Sequence, residues 1–177
     1  LFNRTPDVLV NSASRYEPDG LFGLTSDGLL GHAAANVAGP ALLTAAIARR
    51  STPQTRGLVL NLLDYRLWRP IGDDHLAYTL SKYALQGFTT LMAQRLAPRF
   101  RVCGIAPGYT LPDVDADDDA DFRRRHDATP LRRGPTADDI AGAAAFLLSA
   151  PAVTGQTLIV DGGAHLRASP AELGFPD

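Results

Sequence analysis

Short apolar runs alternate along the chain with longer stretches in which alanine and leucine recur at helical spacing. Runs without polar interruptions are typical of strands buried on both faces of a parallel sheet, and the stretches between such strands form crossover helices. The pattern therefore predicts an α/β fold with a doubly wound, Rossmann-like parallel sheet. The four expected strands lie at residues 7–10, 57–63, 101–106 and 156–160.

Four helices are expected between or after these strands, at residues 26–50, 76–97, in a short stretch that ends at 125, and at 136–149. The first helix should bend near Asn36, because Pro40 has no backbone N–H to donate to the preceding turn. The second helix has the strongest pattern and is expected to bury its apolar positions, which are Leu80, Ala84, Leu85, Phe88, Leu91, Met92 and Leu96. An aspartate-rich run at 113–121 is expected to be a solvated loop.

Composition narrows the class of protein. The 177 residues include 17 basic and 19 acidic side chains, and a formal net charge of −2 argues against nucleic-acid and membrane-surface proteins. No apolar run approaches the roughly 20 residues that a bilayer span needs. A single cysteine, Cys103, allows no internal disulfide and suits a reducing cytoplasm. The histidines do not stand at ligand spacing with carboxylates, so we expect no metal site. From the chain length and the single cysteine we expect one domain over 1–177 in a cytoplasmic protein.

Lys82 is the only lysine in the chain, and it stands four residues after Tyr78 on the strongest predicted helix. Side chains at this spacing share one helix face, with Cβ atoms about 5–6 Å apart. A nearby ammonium favours a phenolate and lowers the pKa of a tyrosine, which makes the phenol a usable proton donor and acceptor. The same spacing also occurs by chance in many helices, so the pair alone identifies no function.

Other polar or turn-forming residues follow the predicted strands, at Asn11 to Ser14, at Asp64, and at Pro107, Gly108 and Tyr109. Ligands of open parallel sheets bind outside the carboxyl ends of the strands, so these residues are candidates for a common site. The ordered set resembles the short-chain dehydrogenase/reductase family. The resemblance rests on its YxxxK helix, its asparagine-led strand exit, its helix asparagine, its Pro-Gly turn and its closing strand, here Thr154 to Gly163.

The resemblance implies a role for each matching position. Tyr78 would be the catalytic acid and base, while Lys82 would hold the nicotinamide ribose and depress the Tyr78 pKa. Asn36 would anchor a proton-relay water at the helix distortion, or serve only as a capping or core amide. The remaining matches would line the cofactor site: Asn11, Ala13, Ser14, Pro107, Gly108 and Tyr109.

The chain departs from the family pattern at three places. Asp64 stands where a serine is expected at the end of the strand before the YxxxK helix, and Cys103 replaces an asparagine. In this position the chain is similar to the pteridine reductase branch of the family, which carries an aspartate there. A carboxyl group at this place suits a substrate with ring nitrogens, to which it can hydrogen-bond or pass a proton. It would also oppose Lys82 by raising the Tyr78 pKa, unless it is protonated or paired, for example with Arg66. A solvated strand-end aspartate is the alternative.

The third departure is that the family's glycine-rich phosphate loop is missing. In a doubly wound domain this loop belongs to a strand–helix unit roughly 75 residues ahead of Leu1, so we expect the chain to be the C-terminal catalytic part of such a domain. The absence of an initiating methionine fits that expectation.

These observations and the resemblance together predict an NADPH-dependent reductase of pteridine-like substrates, namely dihydromonapterin, dihydropterin or dihydrofolate, in a homotetramer. Two alternatives stay open: a short-chain reductase of another carbonyl or alcohol, and a non-catalytic remnant that serves as an oligomerisation module. His75, three residues before Tyr78, lines the site or lies in a loop. The acidity of 113–121 is a poor match for an anionic substrate tail.

Overall fold

The four apolar runs form the four strands of one parallel sheet. The computed structural model describes residues 6–70, 75–112 and 120–166. Its strands pair in the order of the chain and are β1 (Val8–Asn11), β2 (Gly57–Leu62), β3 (Phe100–Pro107) and β4 (Thr157–Val160). In register, Asn11 of β1 lies beside Asn61 of β2, which lies beside Gly104 of β3. The expected parallel sheet of a doubly wound fold is confirmed, and all its carboxyl ends meet at one edge.

The helices also lie where the sequence predicts them: α1 (Ser26–Ala33), α2 (Gly39–Arg50), α3 (Leu76–Leu96), α4 (Ala120–Asp127) and α5 (Ala137–Ser149). The predicted bend takes the form of a π-helical turn, Ala34–Ala38, between α1 and α2. Pro40 follows directly inside α2 and lacks the N–H that would continue regular pairing to Asn36. Thr25, one residue earlier than the sequence indicated, caps α1 through its bond from the Gly28 N–H. Most of the aspartate-rich run, 113–119, lies outside the described residues.

Helices cover both faces of the sheet, because alternate strand side chains point to opposite sides. On one face Val59 and Val102 pack against α2 and α3. On the other face Leu58, Leu60 and Ile105 pack against Leu147 of α5. The sheet is thereby held between two layers of helices, and the loops that follow its strands meet at its carboxyl edge.

Two expectations about apolar segments are wrong. β1 was expected to be buried, yet Val8 and Val10 are 40% and 51% exposed, because neither belongs to the apolar cluster on either face, whereas Leu9 packs against the α2 and α3 side. The second expectation was that no apolar run is long enough to span a bilayer, but the segment Ser26–Arg50 is long and apolar enough to do so by length and composition. In the fold it presents the buried polar side chains of His32, Asn36 and Thr44 to the rest of the protein.

The burial pattern of α3 also differs from the prediction. Its buried residues include Tyr78, Ser81, Lys82 and Thr89, whereas Leu91 is 63% exposed and Leu80 is also exposed. The prediction is confirmed for Leu85 and Leu96 and is wrong for Leu80, Ala84 and Leu91, which are exposed. The inward face of this helix is therefore partly polar.

Candidate active site

The site begins where β2 ends. Asp64 caps a single 3₁₀ turn, Tyr65–Leu67, because its Oδ1 accepts a hydrogen bond of 2.8 Å from the Arg66 backbone N–H. The other carboxylate oxygen, Oδ2, accepts a hydrogen bond of 2.8 Å from the Tyr78 hydroxyl. One carboxylate thus shapes the loop after β2 and joins it to α3. Asp64 is not a solvated strand-end residue.

The Asp64–Tyr78 pair changes the acid–base properties of both groups. Tyr78 is 7% exposed, and burial followed by the adjacent Asp64 carboxylate raises its pKa above the ordinary value for a phenol. Burial also raises the pKa of Asp64, against the opposing effects of its hydrogen bonds. Burial and Asp64 dominate the Tyr78 pKa here, in the direction expected of a carboxylate at that position, and the depression by Lys82 that the resemblance implies stays a prediction. The Tyr78 hydroxyl proton lies in the hydrogen bond to Asp64, and both pKa shifts favour the protonated forms of the two groups.

Lys82 lies one helical turn beyond Tyr78 and is only 3% exposed. Its ammonium donates a hydrogen bond of 2.8 Å to the Leu62 carbonyl and lies 5.5 Å from the centre of the Tyr78 ring. Burial lowers the pKa of Lys82 to about 8, and the negative charge of Asp64 opposes that change. An ammonium carries three N–H donors, so two of them have no acceptor among the described residues. The spare donors are available to a ligand at the end of β2.

Asn36 connects the loop after β1 to α3 from within the π-helical turn. Its Oδ1 accepts from the Arg15 backbone N–H at 2.7 Å and from the Ser14 hydroxyl at 3.3 Å. Its Nδ2 donates to the Arg15 carbonyl and to the Ser81 hydroxyl, both at 2.9 Å. Ser81 in turn donates to the Tyr78 carbonyl at 2.6 Å. The side chain of Asn36 is therefore fully used in fixing the position of the Tyr78 turn.

An aromatic wall borders the pair. Its His75 and Tyr109 rings were candidates from the sequence, whereas Tyr16 was not. The Tyr16 ring stacks on His75 at 4.2 Å between centroids and meets the Tyr78 ring edge-on at 4.7 Å. The buried Arg66 side chain donates to the hydroxyls of Tyr16 and Tyr109, at 3.3 and 3.5 Å. The guanidinium reaches these phenols, while the backbone of the same residue holds Asp64.

These side chains enclose a cleft of about 200 Å³ at the carboxyl edge of the sheet. Its lining includes Tyr16, Asp64, Tyr65, Arg66, Tyr78, Gly108 and Tyr109. The cleft combines the rings of four tyrosines with one carboxylate and one guanidinium. Such a lining suits a flat heterocycle that carries both hydrogen-bond donors and acceptors.

The other predicted cofactor residues lie around this edge. Ala13 and Ser14 are exposed in the loop after β1, and Pro107 ends β3. Gly108 donates from its backbone to the Val160 carbonyl at 2.9 Å. A Cβ at Gly108 would come within 2.8 Å of the Asp161 side chain, so only glycine fits this turn. The turn therefore keeps β3 and β4 close together beside the cleft.

Asn11 points into the sheet. Its Nδ2 donates to Asn61 Oδ1 at 2.7 Å, and Asn61 Nδ2 donates to the Thr89 hydroxyl at 2.8 Å. This buried chain of polar groups links β1, β2 and α3. Asn61 was not singled out from the sequence, although an amide inside an otherwise apolar strand was the available signal. Among the described residues, no group of three or more potential metal ligands lies together.

Comparisons with known proteins show which family the chain resembles. A family model described as enoyl-(acyl carrier protein) reductase, of the short-chain reductase type, matches residues 3–165. A dihydromonapterin reductase of Escherichia coli is 34% identical over 131 residues, which cover 72% of this chain and 53% of that protein. An L-xylulose reductase of Caenorhabditis elegans is 33% identical over 162 residues, covering 88% of this chain and 64% of that one.

Among solved structures, FolM alternative dihydrofolate reductase 1 from Brucella canis, complexed with NADP, is similar with a TM-score of 0.86 and 33% identity. The likeness covers 96% of this chain and 66% of that chain. The chain spans about half the length of the dihydromonapterin reductases that it matches.

Proposed function

Because the chain belongs to the short-chain dehydrogenase/reductase family, we propose that its residues carry out the reaction of an NADPH-dependent reductase acting on pteridine-like substrates. The candidates are dihydromonapterin, dihydropterin and dihydrofolate. The observation that carries the proposal is the 2.8 Å hydrogen bond between Tyr78 and Asp64 inside a cleft walled by aromatic rings. A carboxyl group beside the proton donor is suited to ring nitrogens and amino groups, whereas an aldehyde or ketone substrate offers it no donor.

The donor set at the end of β2 supports a nicotinamide cofactor. The Lys82 ammonium is buried and has two N–H donors without acceptors in the described residues, and the two hydroxyls of a ribose would supply those acceptors. Ala13, Ser14, Pro107, Gly108 and Tyr109 follow the neighbouring strands and would border the nicotinamide. NADPH is proposed in preference to NADH on the likeness to a reductase complexed with NADP.

When bound, NADPH supplies the hydride that reduces a carbon of a ring C=N bond. Tyr78 gives a proton to the ring nitrogen, which completes the reduction, and the nearby Lys82 ammonium stabilises the phenolate that forms. Asp64 accepts hydrogen bonds from the N–H donors of the substrate ring and thereby fixes the orientation of that ring in the cleft. Asn36 and Ser81 hold the α3 turn that carries Tyr78, so the proton donor keeps its place during the reaction.

The direct test uses the full-length protein with NADPH and two sets of substrates. We expect oxidation of NADPH with dihydromonapterin, dihydropterin or dihydrofolate, and little turnover with simple ketones and sugars. No turnover of any dihydropteridine together with brisk reduction of ketones or sugars would overturn the substrate assignment.

A reductase of another carbonyl or alcohol is the second candidate. The L-xylulose reductase matches more of this chain than the dihydromonapterin reductase does, at nearly the same identity. Asp64 would in that case serve another polar group of the substrate. The same activity panel separates the two candidates, because it contains both substrate classes.

A non-catalytic oligomerisation module is the third candidate, because the described residues contain no glycine-rich strand-to-helix turn that would hold a pyrophosphate. Titration of the 177-residue polypeptide with NADPH distinguishes it, since tight binding would exclude a remnant. We further propose that the protein acts in the cytoplasm as a homotetramer, which sedimentation of the full-length protein would test.

A further inference from the structure

A second cavity, of about 390 Å³, adjoins the cleft that holds Asp64 and Tyr78. The two spaces share Tyr65 and Tyr109 in their linings, so they meet at these two rings. The rings lie 5.8 Å apart between centroids. A substrate bound in the cleft therefore has room to extend past Tyr109 into the larger space.

The larger cavity is basic. Arg69, Arg124 and Arg125 line it, and none of its described lining residues is acidic. The Arg125 guanidinium lies 4.4 Å above the Tyr109 ring and donates to its hydroxyl, which holds the cation at the junction with the cleft. Arg69 donates to the Ala164 carbonyl at 3.1 Å, a neutral acceptor that leaves its charge uncompensated by that bond. Three guanidinium groups thus approach one space from two segments of the chain.

Arg124 and Arg125 already bind one carboxylate of the protein itself. Asp121, on the first turn of α4, accepts hydrogen bonds from both Arg124 and Arg125. Its side chain is 45% exposed, and ion pairs at such positions exchange readily with solvent and with competing anions. One aspartate cannot neutralise two arginines, so the pair keeps a net positive charge. Asp121 therefore occupies the arginines in the way an external carboxylate would.

We infer that this arginine cavity binds an anionic group, a carboxylate or a phosphate, at the far end of the substrate whose ring lies in the cleft. The inference rests on the proposed function for the ring and adds the charge of the tail. The sequence predicted that the acidic run at 113–121 would disfavour an anionic substrate tail. The inference reverses that prediction, because the described aspartate of the run, Asp121, is paired with the arginines.

The experiment measures KM and kcat for three substrates of the full-length protein: neutral dihydromonapterin, a phosphate ester of a dihydropterin, and dihydrofolate with its two carboxylates. The variants are Arg124→Gln with Arg125→Gln, Asp121→Asn, and Arg123→Gln as a control on the same helix that does not line the cavity. We expect the double variant to raise KM for the anionic substrates about tenfold relative to the neutral one, as loss of charge-assisted hydrogen bonds requires.

Asp121→Asn separates binding from structure. Both variants break the same ion pairs, yet removal of the competing carboxylate should lower KM for the anionic substrates about two- to threefold. Which anionic substrate responds more strongly identifies the carboxylate or the phosphate as the better ligand. Unchanged ratios of anionic to neutral KM in both variants would overturn the inference, and so would a parallel loss in both.

Two further measurements keep the result decisive. If the double variant unfolds, Arg69→Gln removes a lining charge from outside α4 and should raise the same KM ratio. If wild-type protein reduces no dihydropteridine, the proposed function fails. The cavity is then tested by calorimetric binding of p-aminobenzoylglutamate and of inorganic phosphate, which carry the anionic group without the pterin ring. Binding that is lost in the double variant supports the inference, and absence of binding to wild-type protein refutes it.

Discussion

The two faces of the sheet differ in polarity: the face under α5 is packed with apolar side chains, whereas the face under α3 also buries polar ones. Beneath α5, the buried residues Leu58, Leu60, Cys103, Ile105 and Leu147 form a cluster without a charged group. Beneath α3, the same strand β2 turns Asn61 toward Thr89, and the helix buries Tyr78, Ser81 and Lys82. Burying polar groups costs free energy unless each is hydrogen-bonded, and the Lys82 ammonium has two donors without acceptors among the described residues, so this part of the α3 face is less favourable for stability than the apolar α5 face. The comparison predicts that substitutions on one face change turnover and that those on the other change stability.

Tyr78→Phe should produce the largest effect on the α3 side. Loss of the proton donor is expected to lower kcat about 10²- to 10⁴-fold while the fold is retained. Steady-state kinetics of the full-length protein with NADPH and a dihydropterin measures this change. Tyr83→Phe is the matched control, because Tyr83 lies on the same helix, is exposed, and donates only to the Leu67 carbonyl. Equal activity in the two variants would remove Tyr78 from the chemistry.

Leu147→Ala should produce the opposite result on the α5 side. Leu147 is fully buried against β3 and β4, and truncation of such a leucine costs about 3 kcal/mol through lost contacts and the cavity left behind. Denaturant unfolding should show this loss, while kcat stays near the wild-type value at temperatures where the protein is folded. The adjacent, exposed Leu148→Ala is the control and should change stability little. A selective loss of kcat in Leu147→Ala would contradict the division between the faces.

Lys82→Met tests the cost of placing a charge on the α3 face. The folded-state pKa of Lys82 is about 8, below its ordinary value of 10.5, so between these pH values the unfolded chain binds the extra proton. Stability therefore rises as pH increases from 8 to 10.5, and the whole penalty is present below pH 8. The difference between the two pKa values corresponds to about 3 kcal/mol at most.

We expect Lys82→Met to be about 2 kcal/mol more stable than wild type at pH 7, less than that maximum because Asp64 loses a partner. The stability gap should close as the pH approaches 10.5. Urea unfolding across this range measures it, with Arg95→Met at the exposed end of α3 as the control. A gap that does not depend on pH would mean that Lys82 is not held at a lowered pKa.

The sequence predicted the sheet because its signal is local: the strand cores and helix spans follow from apolar runs and from turn residues. It also placed Asp64 near Tyr78, because strand ends meet at one edge and the helix that begins at Leu76 starts there. It named Arg66 as a partner for Asp64, not for the phenols, and did not predict Tyr16 as a member of the site. The contact between those two joins residues 50 positions apart, and the direction of a loop side chain depends on tertiary contacts that no local pattern encodes.

The same limit explains the wrong burial pattern of α3. Periodicity assigned Leu91 to the core, but the inward face is set by which turn must present Tyr78 and Lys82 to the end of β2. It likewise explains β1, whose apolar run indicates a buried strand although Val8 and Val10 are exposed at the sheet edge. Residue type reports how apolar a segment is, whereas its partners in space decide what is covered.

Thr136→Ala should produce the smallest effect, and it lies on the stabilising side of the comparison. Thr136 and Asp139 form a reciprocal cap at the start of α5: the Thr136 hydroxyl and N–H both donate to the Asp139 carboxylate at 2.8 Å, and the Asp139 N–H donates back to the hydroxyl at 3.3 Å. Loss of the hydroxyl should cost about 1 kcal/mol of unfolding free energy and leave kcat unchanged. Thr25→Ala is a graded control, because Thr25 caps α1 with one hydrogen bond, from the Gly28 N–H, and has no acidic partner three residues on. The loss at Thr25 should therefore be smaller than at Thr136, and an equal or larger loss would mean that the bonds to Asp139 add no stability to the α5 cap.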